Sequence, residues 1–153
     1  MAGALQQTLE ALIQQFTLLK QTLADESDAL DRRDPDALLA AAGAKHACAV
    51  QIGQLEDQLA RELGGTRLRE LIPRLGANER DIVEPLHTSL TTLAWQCRHY
   101  NAVNGKVIHR SRQSVAELAR ILSGTDADST YTARGTTRAY GASFSDGQSI
   151  SLA

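Results

Sequence analysis

Apolar residues recur along residues 3–122 at alternating steps of three and four, which is the spacing of one face of an α-helix. In the first part of the chain this pattern starts at Leu5 and is interrupted by one charged residue, Glu26. In the second part it starts at Leu38 and includes Lys45. The steps form a heptad repeat, so we expect long helices that pack as in a coiled coil.

Two breaks divide the pattern into three long helices. Asp34 and Pro35 mark a helix start, since aspartate caps a helix N-terminus and proline suits the first helical position. Gly64 and Gly65 mark the end of the second helix. The predicted helices span residues 3–32, 35–63 and 78–122, with a short helix at 66–72.

The connections predict the fold. Because only residues 33 and 34 separate the first two helices, we expect these helices to form an antiparallel hairpin, with the third helix running back along it. Aromatic residues make up only 4% of the chain, so the core must consist of aliphatic side chains, which favours helices. The predicted fold is all-α: an antiparallel, coiled-coil-like bundle of three long helices with a short helical connector, in one domain of residues 1–122. Residues 123–153 are rich in Ser, Thr and Gly and lack a helical period, which predicts a flexible C-terminal tail; the alternative is a short segment around Tyr131 or Tyr140 that docks on the bundle.

The third helix contains the stretch "NAVNGKVI", residues 101–108, where polar residues enter the apolar face. Gly105 weakens a helix without forbidding one, so the sequence leaves its continuity there open. At 1.5 Å per residue, the first two helices are roughly 43 Å long and the third roughly 67 Å. We therefore expect the hairpin to end near residue 107, leaving about a third of the last helix without an intramolecular partner, unless the short segment at 66–75 displaces the start of that helix.

An apolar stripe without an intramolecular partner indicates an intermolecular one. The predicted partner-binding residues are Asn104, Val107, Ile108, Ser111, Val115, Leu118, Ile121 and Leu122. An alternative reading of Asn104 is that it fixes helix register, as a buried asparagine does in coiled coils. Ser111 and Ser114 continue the polar trend, which this alternative does not explain.

Composition limits the possible functions. The net charge of -2 does not suggest nucleic-acid binding, and no apolar run approaches the roughly 20 residues that cross a bilayer. The N-terminal segment lacks the features of a signal peptide, so we expect a cytoplasmic protein whose two cysteines, Cys48 and Cys97, are reduced and buried.

Catalytic and metal-binding patterns are weak. Glu84 and His87 have the Glu-x-x-His spacing of di-iron bundles, but the second pair that such a site requires is missing. His46 and Cys48 are two residues apart, as are Cys97 and His99. Side chains two residues apart diverge by about 200° on a helix, so neither pair can bind one metal ion unless the helix unwinds. We expect no enzyme activity, no cofactor and no metal.

The chain resembles the FlgN family of flagellar export chaperones. The resemblance rests on a Leu-rich hairpin divided by "RDPDALLAA", a third helix carrying "NAVNGKVI", and a tail with "TYTARGTTRAYG". It implies a cytosolic chaperone, a monomer or weak dimer, that binds the C-terminal helices of the hook-filament junction proteins FlgK and FlgL. It also implies that the chaperone prevents their premature assembly and delivers them to the type III export apparatus, where components of the export ATPase complex are further candidate partners. The competing hypothesis is a structural coiled-coil protein that self-associates through the same stripe.

Overall fold

The computed structural model of the protein describes residues 2–123, most of which lie in helices. Helix α1 spans Ala2–Arg32, α2 spans Pro35–Leu63, α3 spans Leu68–Leu71, and α4 spans Ala77–Ser123. A 3-10 turn at Ile72–Arg74 follows α3 directly. The all-α prediction is confirmed, with long-helix boundaries within one residue of those expected. The predicted short helix at 66–72 is shorter and continues into the 3-10 turn, because Pro73 cannot donate a backbone hydrogen bond to prolong it. The predicted tail lies outside the described residues, except for Ser123.

The turn between α1 and α2 is fixed by local hydrogen bonds. Arg33 adopts a left-handed conformation with φ of 53°, and the Asp34 amide donates to the Ala29 carbonyl at 3.0 Å, closing the end of α1. The Asp34 side chain then accepts from the Ala37 amide at 3.0 Å, which caps α2 as predicted. Two residues thus end one helix and begin the next.

Helix α1 lies between the other two long helices, since the extensive contacts among them are those of α1 with α2 and of α1 with α4. Helix α2 is antiparallel to α1: Thr8 donates to Glu62, and further along Lys45 pairs with Glu26. Helix α4 runs parallel to α1, because its hydrogen bonds to the Phe16 and Leu23 carbonyls both join residues 81 positions apart.

The core is aliphatic and centred on α1. Its buried members are Leu5, Leu9, Leu12, Phe16, Leu19 and Leu23 of α1, Cys48, Ile52 and Leu59 of α2, Leu68 and Ile72 of the connector, and Val83, Leu90 and Cys97 of α4. Ile82 and Tyr100 fit the apolar spacing of α4 but are exposed, at 46% and 44%. Val83 takes the place of Ile82, because either neighbour fits the spacing to Leu90 and only one can face α1.

Candidate functional site: the distal stripe of α4

The predicted site residues fall into two groups that Asn104 separates. Asn104 is the last residue of α4 that the bundle buries, at 3% exposure. Its side-chain amide donates to the Leu23 carbonyl at 2.9 Å and to Glu26 Oε1 at 3.0 Å. Asn104 therefore belongs to the interior of the bundle and not to its exposed surface, as the register alternative anticipated.

Asn104 takes part in a polar cluster that joins all three long helices. Glu26 of α1 is fully buried, and its Oε2 lies 2.7 Å from Lys45 Nζ of α2. Lys45, at 6% exposure, also donates to Asn101 Oδ1 of α4 at 3.3 Å. Each charged group thus has an opposite charge and an amide beside it, which offsets the cost of removing it from water. We call Glu26, Lys45, Asn101 and Asn104 the polar cluster.

Beyond the polar cluster, the described part of α4 has no buried residue. The remaining seven predicted residues lie here, and we call them the distal stripe: Val107, Ile108, Ser111, Val115, Leu118, Ile121 and Leu122. Ile108 is half-buried, whereas the other six are exposed. The exposed fraction rises from 41% at Val107 to 77% at Leu122.

The axial register explains most of this exposure. Adding the offset of 81 residues to Arg32, the last residue of α1, gives position 113 of α4. Val115, Leu118, Ile121 and Leu122 therefore lie beyond the end of α1. The hairpin therefore extends beyond residue 107, because the connector displaces the start of α4 to a level before the start of α1, which is the exception that the sequence allowed for. Helix α4 is continuous through Gly105, which settles the point that the sequence left open.

Beside the stripe, Ser114 and the charged pair Arg120–Glu117 have their partners within α4 itself. Ser114 donates to the Arg110 carbonyl one turn earlier at 3.1 Å, so its hydroxyl requires no partner from another helix. Arg120 pairs with Glu117 at 3.0 Å, and both side chains are exposed.

Sequence reasoning missed an exposed aromatic pair on another face of α4. Trp95 is 66% exposed, and its ring stacks on His99 with centroids 5.6 Å apart and planes 4° apart. Trp95 falls outside the apolar spacing, which passes through Leu93 and Cys97, so a search for the buried face overlooks it. The polar cluster had a visible signal, since Glu26, Lys45 and Asn104 each interrupt an apolar seam.

The described residues hold no constellation for metal binding. Within residues 2–123, no group of three His, Cys, Asp or Glu side chains is placed to hold a metal ion.

Cys48 and Cys97 are free and buried, as predicted. Burial raises the pKa of the Cys97 thiol to about 11, partly opposed by Lys20 and reinforced by Cys48. Burial also raises the pKa of Cys48, which a hydrogen bond with Thr22 partly offsets. Neither thiol is therefore activated as a nucleophile.

The fold and the distal stripe define a class: a small helical bundle whose last helix extends beyond the end of α1 and presents an apolar face that no other described helix covers. A family model described as FlgN protein matches residues 1–139 of the chain. The chain therefore belongs to the FlgN family, and it is a flagellar export chaperone in the general sense of that family. No curated protein and no solved structure matches it. None of the described helices is long and apolar enough to span a membrane.

Proposed function

We propose that this chaperone binds the C-terminal amphipathic helices of the hook-filament junction proteins FlgK and FlgL. The client helix lays its apolar face on the distal stripe and packs beside α4 where α1 has ended. The observation that supports this best is the exposure of Val115, Leu118, Ile121 and Leu122, each between 55% and 77%, in one heptad-spaced stripe. A contiguous apolar surface of this kind is characteristic of a protein-binding site.

The dimensions of the stripe limit the client segment. Residues 107–122 extend about 22 Å along α4, which a client helix of about four turns covers. Two basic residues, Lys106 and Arg110, are exposed on this segment, whereas Arg120 is paired with Glu117. A client helix with acidic residues along the edges of its apolar face is therefore favoured.

Binding of this type suits a chaperone that must release its client. A client helix that is disordered before binding loses conformational freedom when it docks, which costs about 2–5 kcal/mol of the interaction energy. The resulting affinity is moderate. Covering the client's apolar face prevents its premature assembly in the cytoplasm, and release at the type III export apparatus follows when a competing surface takes the client. Components of the export ATPase complex are candidates for that surface.

The direct test compares two leucines with nearly equal exposure. Leu118 in the stripe is 56% exposed, and Leu18 on α1 is 53% exposed. We expect Leu118→Glu to abolish binding of a synthetic FlgK or FlgL C-terminal peptide in calorimetry, with helicity and melting temperature nearly unchanged. Leu18→Glu is the matched control and should bind the peptide normally. Unchanged binding by Leu118→Glu would contradict the proposal.

A second candidate, self-association through the same stripe, is favoured by the same exposed residues. Sedimentation at micromolar concentration separates the two. A monomer, or a weak dimer that the client peptide dissociates, supports the chaperone function. A tight dimer that the peptide leaves intact supports a structural coiled-coil protein.

A further inference from the structure

The heptad repeat of α4 continues through the polar cluster without a change of phase. Val83, Leu90, Cys97 and Asn104 are spaced by seven residues and are all buried against α1. Ser111 and Leu118 continue this spacing and are exposed. A strictly periodic seam selects the face of a helix but not its axial position, because a shift by one heptad keeps the same face toward the partner.

One such shift would use the distal stripe inside the bundle. If α4 moved by one heptad, about 10 Å, toward the N-terminus of α1, Ser111 would face Leu23. Leu118 would then lie beside Leu30, which is only half-buried in the observed register. Part of the distal stripe would become buried within the chain and lost to any partner.

The polar cluster distinguishes the observed register from both neighbouring ones. In the shift just described, Ile108 would replace Asn101 beside the Lys45 ammonium, and Ser111 would replace Asn104 beside Glu26. In the opposite shift, Ala94 and Cys97 would take these two places. Either change removes the amide of Asn104 from Glu26 and leaves buried charges short of hydrogen-bond partners, which is costly in an apolar interior.

We propose that the polar cluster is a register lock: Asn101 and Asn104, by pairing with Lys45 and Glu26, select the axial position of α4 and so keep the distal stripe outside the bundle. The two asparagines are positioning residues for the stripe and do not themselves contact a client. The significance of the lock rests on the proposed function, but its existence does not.

Moving the lock by one heptad tests it without changing the composition of the chain. The relocated variant carries Asn101→Ile, Asn104→Ser, Ile108→Asn and Ser111→Asn. If the lock selects the register, α4 should shift by one heptad so that the moved asparagines again face Glu26 and Lys45. If the rest of the seam and the connector fix the register, α4 should remain where it is.

The only tryptophan of the chain, Trp95, provides an intrinsic donor for measuring this shift by resonance energy transfer. In the observed register Trp95 is level with position 14 of α1, midway between the exposed residues Gln7 and Gln21. An acceptor dye is attached to Gln7→Cys or Gln21→Cys in separate proteins at neutral pH. Selective labelling is expected because Cys48 and Cys97 are buried.

The two acceptors give opposite responses. In the observed register both lie about 10 Å along the axis from Trp95, so their transfer efficiencies should be similar. After the shift, Gln7→Cys is level with Trp95 and Gln21→Cys is about 21 Å away along the axis. We expect the relocated variant to change the ratio of the two efficiencies several-fold in favour of Gln7→Cys. An unchanged ratio in a folded relocated variant would overturn the proposal.

Two controls accompany this experiment. Ile108→Asn with Ser111→Asn adds asparagines but retains the original lock, and Thr22→Val removes a buried hydroxyl outside the cluster; both should keep the original ratio. If circular dichroism shows that the relocated variant is unfolded, Glu26→Leu, Lys45→Met and Asn104→Leu together replace the cluster by apolar side chains, which bundles commonly tolerate. That variant should show a changed ratio, and the original ratio would refute the lock.

Failure of the lock and failure of the proposed function give different results. The energy-transfer ratio is measured without a client, so it reports only on register. If the ratio changes as expected but FlgK and FlgL peptides bind no variant, including the natural sequence, the lock stands and the proposed function fails. If the peptides bind the natural sequence and the ratio never changes, the proposed function stands and the lock fails.

Discussion

The two halves of α4 have the same heptad spacing but differ in burial. In the proximal half, Val83, Leu90 and Cys97 are at most 2% exposed. In the distal half, Leu118 and Ile121 are 56% and 70% exposed, although they continue the same helix. Apolar spacing therefore identifies the face of a helix that requires a partner, but the length and register of the neighbouring helices determine whether the chain itself supplies it.

The largest expected difference in the free energy of unfolding is between variants of two lysines. Lys45 is buried and pairs with Glu26 at 2.7 Å, whereas Lys106 is exposed in the distal half. Lys45→Met should lower the free energy of unfolding by about 3–5 kcal/mol, because it leaves the Glu26 carboxylate buried without its cation. Lys106→Met should change it by less than about 0.5 kcal/mol. Urea denaturation measures both, and similar small losses would show that the polar cluster contributes little to stability.

The second contrast uses one substitution at two seam positions of α4. Leu90 is fully buried, and Leu118 lies four heptads later at 56% exposure. Leu90→Ala should destabilise the protein by about 2–5 kcal/mol through lost burial and a cavity. Leu118→Ala should cost less than about 0.5 kcal/mol. A comparable loss of stability at Leu118 would place this residue in the core and remove the basis for a distal binding surface.

The sequence predicted the helices closely, because their boundaries depend on local chemistry. Asp34 and Pro35 specify the start of α2, and Gly64 adopts the left-handed conformation that ends it. The spacing also identified the buried face of α1 from Leu5 to Leu23. These features follow from hydrogen bonds and side-chain directions within a few residues.

The details of the site depend on contacts between distant residues and were harder to predict. Asn104 was placed on the partner-binding surface, but its hydrogen bonds to Leu23 and Glu26 reach across to another helix. Spacing within α4 cannot reveal them. The end of the hairpin was placed near residue 107 because helix lengths alone do not give the axial offset. Trp95 was overlooked because exposed residues do not contribute to an apolar period.

The proximal half should also give the protein a pH dependence, through a buried thiol of α4. Burial raises the pKa of the Cys97 thiol from an ordinary value of 9.0 to about 11. Since the unfolded chain releases this proton more readily, the stability from the neutral thiol is complete below about pH 9 and is lost as the pH rises toward about 11. The loss is at most about 2–3 kcal/mol.

Urea denaturation between pH 8 and pH 11 tests this prediction on the natural sequence and on Cys97→Ala. The variant should be less stable at pH 8, because it lacks core contacts, but its stability should decline less with rising pH. Lysines and tyrosines titrate in both proteins, so only the difference between the two curves reports on the thiol. Parallel curves would show that the Cys97 proton is not linked to folding.

The smallest expected change in stability, from glycine-to-alanine substitutions, distinguishes the bundle from the distal half of α4 most directly. Gly43 in α2 and Gly105 in α4 are both helical, and a Cβ added to either meets no atom within 4 Å. Alanine should therefore favour the helix by about 0.5–1 kcal/mol at both positions. Because Gly105 follows the last buried residue of α4, its substitution should mainly stabilise the distal half, whereas Gly43→Ala should stabilise the whole bundle.

Two measurements separate these effects. Gly43→Ala should raise the free energy of unfolding in urea and leave amide exchange at residues 106–116 unchanged. Gly105→Ala should slow exchange at those amides by about two- to fivefold, with a smaller change in the urea midpoint, since local opening and global unfolding are distinct events in a helix that extends past its bundle. If both variants change global stability equally and neither alters distal exchange, the distal half unfolds together with the bundle. The exposed stripe would then be part of the same cooperative unit as the core, and the division of α4 at Asn104 would hold for burial but not for stability.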